Sequence, residues 1–75
     1  MNKIYFGTAA EFPQNSYYLL ENDNVYGVMI SNSSDEDYIT GLYAEKTEAE
    51  KFAALLLRNN VCPIHLAETA DDYMC

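Results

Sequence analysis

Apolar and polar positions come in short strand-like runs over the first half of the chain and recur at three- and four-residue steps over the second. Asn2 to Phe6 form a possible first strand, and the GTAAEFPQN that follows carries Gly7 and Pro13, which mark an irregular connection. SYYLLE and VYGVMIS are rich in aromatic and aliphatic side chains and are separated by the turn signal Glu21-Asn22-Asp23-Asn24, so together they predict a hairpin. The polar SNSSDED then intervenes before DYITGLY, a third run with Ile39 and Tyr43 on one face and Tyr38 and Leu42 on the other. Gly27 and Gly41 fall inside these patterns, where glycine marks a bulge or the close approach of another backbone.

At Thr47 the period changes. Thr47 with Glu50 fits a capping box, in which hydroxyl and carboxylate each satisfy a free backbone donor at a helix start. Ala49, Phe52, Ala53, Leu56 and Asn60 then recur at helical spacing, with Leu55 widening the stripe enough to cover a sheet. This predicts a main helix over about 47–59, ending near Asn59-Asn60 because asparagine tolerates the left-handed conformation there. After Pro63 a short second helix is expected over about 65–74, with Leu66, Ala70 and Tyr73 or Met74 on one side and Glu68, Asp71 and Asp72 facing water. The fold class is therefore α+β: a three- or four-stranded antiparallel meander covered on one face by one main helix and a short C-terminal helix, in a single domain over 1–75. Ile4, Leu19, Leu20, Val25, Val28, Ile30, Ile39, Leu42, Phe52, Leu55, Leu56, Val61, Ile64 and Leu66 are the candidate core.

Charge changes the picture most. Twelve acids against four bases give a net charge of −8, which repels phosphate backbones and anionic membranes and favours basic protein partners. Two cysteines are too few for a disulfide framework, and the first fourteen residues hold no apolar run of signal-peptide length, so a soluble, cytoplasmic protein with free thiols is expected.

Candidate chemistry is sparse. Cys62 and His65 have a three-residue step that could place two ligands on one ion, with Asp71, Asp72 or Cys75 to complete a tetrahedron, but half of a paired zinc pattern is missing and Pro63 sits between the two. His65 is the only histidine, and no nucleophile elbow, GxxxxGK[ST] or GxGxxG loop accompanies it. Paired acids such as Asp71 with Asp72, or Asp35 to Asp37, lie in polar runs with nothing nearby to shift them for acid or base work. The sequence thus predicts no enzyme, no cofactor and no metal.

What remains is surface. The chain has seven tyrosines, whose apolar ring and polar tip suit interfaces as well as strands. Tyr17, Tyr18, Tyr26, Tyr38 and Tyr43, with the acids Asp35, Glu36, Asp37, Asp71 and Asp72, are the candidate protein-interaction residues, and about half of those tyrosines should lie on an uncovered sheet face. The expected partner is a protein with a basic or aromatic-accepting surface, and an edge strand offers a route to a homodimer. A second reading is an acidic nucleic-acid mimic of the kind that inhibits restriction or CRISPR nucleases, its carboxylates drawn from Asp23, Asp35, Glu36, Asp37, Glu45, Glu48, Asp71 and Asp72.

PIHLAETADDYM, together with YGVMI and KTEAEKF, resembles a family of short bacterial proteins found mainly in Firmicutes, with a closing motif P-[IV]-H-L-x-[DE]-x-x-[DE]-[DE]-[FY]. Pro63, Ile64, His65 and Leu66 match its head, and Glu68, Asp71, Asp72 and Tyr73 its tail. The resemblance spans roughly residues 17 to 74 and leaves out the first sixteen; Ala70 replaces the usual valine or isoleucine, and Cys62 a common serine. It implies a strand meander with a capped helix and carries no established activity. The shared motif reads as architecture: Pro63 stops one helix, the His65 ring satisfies backbone groups at the next, and Leu66 anchors it. The function expected from all of this is a small non-catalytic regulatory or adaptor module.

Overall fold

Four antiparallel strands in sequence order form one open sheet: β1 (Asn2–Thr8), β2 (Ser16–Asn22), β3 (Val25–Ser31) and β4 (Glu36–Tyr43). The computed structural model describes residues 1–12 and 14–74; Pro13 and Cys75 lie outside the described residues, as does the side chain of Met74. Helix α1 (Lys46–Arg58) crosses one face of the sheet, and a 3₁₀ turn at Pro63–His65 leads into α2 (Leu66–Met74), which packs near β4 on the same side. The α+β meander with its main and C-terminal helices is thus as the hydrophobic pattern predicts, and the fourth strand is present.

Two turns and a helix end set this topology. Asp23 and Asn24 both have positive φ, 51° and 65°, the two-residue hairpin geometry whose twist matches the flanking strands. Helix α1 ends in a Schellman arrangement: Asn60 is left-handed at φ 47°, its N–H donates to Leu57 O, and the Val61 N–H donates to Leu56 O. Pro63 occupies the first position of the 3₁₀ turn, where a missing N–H costs nothing.

The start of α1 corrects an expectation. The helix begins at Lys46 with Glu45 as its N-cap, and no side chain caps it. Thr47 already lies in the first turn, so the capping box with Glu50 does not form.

The core lies between α1 and the sheet. Tyr17, Leu19, Val28 and Ile30 from the central strands meet Ala49, Phe52, Ala53 and Leu56 of α1, with Leu66 and Ala70 of α2 closing one end. Fully buried side chains such as Phe52 and Leu56 each contribute about 2–3 kcal/mol by leaving water. Val25 and Ile64, both candidate core residues, are exposed instead. Val25 flanks the hairpin turn and Ile64 projects from the 3₁₀ turn, so neither has a layer above it.

Register shifts decide which side chains face the helices. Between Tyr26 and Val28 the partner on β4 jumps from Tyr43 to Ile39, so residues 40–42 bulge, with Gly41 at φ 67°. The bulge turns Leu42 toward the core beside Ile39 and Tyr43, where strict alternation had placed it with Tyr38. Gly27 lies under this bulge, and a Cβ there would come within 2.0 Å of the Ile39 carbonyl oxygen. Gly27 is therefore required by the close approach of the β4 backbone, and Gly41 by its left-handed conformation in the bulge.

Candidate interaction surface

The helices cover one face of the sheet and leave the other open. Cross-strand pairing aligns Tyr5 with Tyr18, Tyr18 with Met29, and Met29 with Tyr38, so a row of three tyrosines and a methionine crosses all four strands on the open face. Tyr5 and Tyr38, at the two ends, are 60% and 55% exposed. The Tyr5 and Tyr18 rings meet edge to face with centroids 5.7 Å apart, and the Lys3 ammonium lies 4.8 Å from the centre of the Tyr18 ring.

Beneath these rings Leu20 and Met29 are buried although no helix covers them. They floor a depression of about 300 Å³ bordered by Met1, Lys3, Glu36 and Tyr38. Leu20, taken from the sequence as core, thus belongs to a second, thinner apolar cluster on the opposite face from Leu19.

The structure sorts the five candidate tyrosines by face. Tyr18 and Tyr38 lie on the open side, joined by Tyr5, which the candidate set lacked. Tyr17 is only 1% exposed, and this overturns its assignment to an interaction surface. Its hydroxyl donates to Val61 O at 2.9 Å, with the Asn60 side-chain oxygen at 3.3 Å, and burial together with the nearby Cys62 pushes its pKa up to about 12. Tyr26 and Tyr43 are half-buried against the core. The Tyr43 ring packs edge-on to Phe52, which in turn stacks on Tyr73; the buried Tyr43 hydroxyl has no hydrogen-bond partner among the described residues, and burial, with Tyr73 and Glu48 adding, raises its pKa. Plain alternation along β1 puts Ile4 and Phe6 in the core and Tyr5 on the open side, and the extra residue at Phe6 then brings Gly7 opposite Tyr17.

A polar cluster at the far end of the sheet also went unseen. Asn15 is fully buried, yet both its side-chain groups are paired. Its amide nitrogen donates to Asn60 Oδ1 at 2.8 Å and to Cys62 Sγ at 3.8 Å, and its oxygen accepts from Asn32 Nδ2 at 2.9 Å. Asn32 in turn accepts from the Ser34 and Asp35 amides, so one side chain ties the β1–β2 connection, the β3–β4 loop and the end of α1 together. Nothing in GTAAEFPQN distinguishes this asparagine from solvent-facing ones.

Cys62 is therefore engaged in this cluster, while His65 is exposed and bonds through its main chain, its N–H donating to Cys62 O and its carbonyl accepting from Thr69. The capping role expected of its ring falls to the backbone. Among the described residues no three of His, Cys, Asp and Glu converge in a ligand set, and Cys75 lies outside them.

The acids do not form one row. Asp23 sits in the β2–β3 turn, and Asp35, Glu36 and Asp37 lie at the opposite end of the strands, roughly 20 Å away for a seven-residue run. Glu45 and Glu48 flank the start of α1, and Asp71 and Asp72 are exposed on α2. Asp37 has a local role: its carboxylate accepts from the Tyr38 amide at 2.9 Å.

No helix among the described residues is long and apolar enough to cross a membrane. No curated protein and no solved structure matches the chain. A model of the family of unknown function DUF6514 matches residues 5–75, so the match begins within β1 and takes in most of the first sixteen residues. The chain belongs to that family.

Proposed function

We propose that the protein is a small non-catalytic regulatory or adaptor module of the bacterial cytoplasm that acts by protein–protein contact, with the open sheet face as its contact surface. One observation carries this reading: the row Tyr5, Tyr18, Met29 and Tyr38, three of its four side chains aromatic, stands on a face that no element among the described residues covers. Rigid aromatic rings over an apolar floor are the anchors that dominate interface energetics, because they bury large area at little entropic cost. Such a surface takes a protein partner that accepts aromatic rings, and the surrounding acids disfavour nucleic acid and anionic membrane.

The test is site-specific photo-cross-linking in the native host. A benzophenone amino acid in place of Tyr38 is expected to trap a protein, and the same group in place of Glu68, exposed on α2, is expected to trap none. A Tyr5→Ala, Tyr38→Ala double variant is expected to weaken the association by at least about tenfold, since interface aromatics cost ~1–2 kcal/mol or more each on truncation. Cross-linking from position 68 but not from position 38 would place the contact surface on the helices and end the proposal.

A further inference from the structure

Among the described residues the open face carries two charged side chains at opposite ends of its apolar floor, with the N-terminal amine of Met1 on the border of that floor as well. Lys3 projects from β1 and is held over the Tyr18 ring, whereas Glu36 opens β4, three strand spacings or ~14 Å across the sheet and four residues or ~13 Å along it. Neither is paired within the chain: among the described residues the one ion pair is Glu48 with Lys51. The remaining acids lie on the helix side, in turns, or at the strand ends.

A face with one cation and one anion at its two ends is complementary to itself. A two-fold axis lying in the plane of the face, perpendicular to the line from Lys3 to Glu36, sets each lysine of a pair over the glutamate of the other copy. The same rotation brings the two Leu20 and Met29 floors together. A two-fold along that line would instead stack like charges, so electrostatics selects a single orientation.

We infer that the occupant of the open face is a second copy of this chain, stacked sheet to sheet as a two-fold dimer with reciprocal Lys3 to Glu36 contacts. This rests on the proposed use of that face as a contact surface and names what fills it. The strands span roughly 20 by 23 Å in the plane of the sheet, an area below the ~800 Å² per partner of a stable complex, so the dimer is of the weak, concentration-dependent class. At ~0.15 M salt the screening length of ~8 Å suppresses repulsion between the acids carried on the two outer, helix-bearing sides.

Charge reversal tests it. In sedimentation velocity over a concentration series reaching about 1 mM, the unaltered chain is expected to pass from monomer to dimer, the range in which a contact of ~4 kcal/mol becomes visible. Lys3→Glu and Glu36→Lys are each expected to raise the dissociation constant by about tenfold or more, because each turns two attractions into two repulsions. An equimolar mixture of the two variants is expected to recover association as a heterodimer, which also shows that both remain folded. A chain that stays monomeric throughout, a dimer indifferent to either reversal, or a mixture that does not recover would each overturn the inference. A monomer that still cross-links through position 38 to a different protein refutes self-association and leaves the contact-surface reading standing; a monomer with no cross-link from position 38 refutes both.

Discussion

Tyr17 shows how a side chain suited to an interface becomes part of the core. Its ring fills the space between β2 and α1, and its hydroxyl reaches the second residue after the α1 C-cap Asn59, donating to Val61 O at 2.9 Å. Tyr17→Phe is expected to lower stability at neutral pH by about 1 kcal/mol, the typical net worth of one hydrogen bond, as a shift in urea midpoint at unchanged slope. The pH dependence follows from the same burial. The folded hydroxyl titrates at about 12 and the unfolded one near its ordinary 10.0, so the stabilisation from keeping it neutral is complete below pH 10 and is lost as pH rises toward 12. The phenylalanine variant is expected to lose correspondingly less stability between pH 10 and 12 in parallel urea titrations, and equal alkaline slopes in the two proteins would contradict this account. Asn15 is the counterpart among polar residues: buried without charge, it is tolerated because three partners satisfy its side chain.

At the scale of elements, the crossing of β3 under the β4 bulge is the tightest constraint in the sheet. Gly27→Ala is expected to cost more than ~3 kcal/mol, because the methyl group would collide with the Ile39 carbonyl and nothing flexible is there to yield. Thermal unfolding by circular dichroism measures it, and a melting point within ~5 °C of the parent would contradict the bulge as described. The strands and both helices were legible because a period of two or of 3.6 survives wherever one face is buried, and Gly27, Gly41 and Asn60 announced their special backbone. Which face each strand residue takes was legible only up to the bulges. The extra residues at Phe6 and at 40–42 each reset the alternation, bringing Gly7 opposite Tyr17 and moving Leu42 inward. The capping box failed for a related reason: Thr47 and Glu50 have the right spacing, but the N-cap is Glu45, two residues before Thr47, and the helix is already under way at Lys46. The candidate surface was half visible, since strand tyrosines can be found by composition while their side of the sheet is a matter of register.

On the scale of the whole molecule, the protein is a slab of 33 × 27 × 17 Å with helices on one side and an aromatic row on the other. Its two rims are unlike. The β1 rim carries Lys3 and no acid, while the β4 rim begins with Glu36 and Asp37 and is broken by the bulge at Gly41. On that second rim the Asp37 carboxylate already occupies the Tyr38 amide, so an incoming strand finds one of its donors taken and a negative charge in its path. Endless growth by main-chain pairing requires two receptive borders on every copy, and this chain offers at most one. Concentrated solutions held for days at neutral pH are therefore expected to stay clear and to give no thioflavin T signal, whereas Asp37→Thr, which frees that amide and removes the charge, is expected to shorten the lag before fibrils appear. A single acid thus sets a ceiling on assembly by main-chain pairing: copies joined edge to edge are expected to close as pairs through β1 instead of extending into filaments.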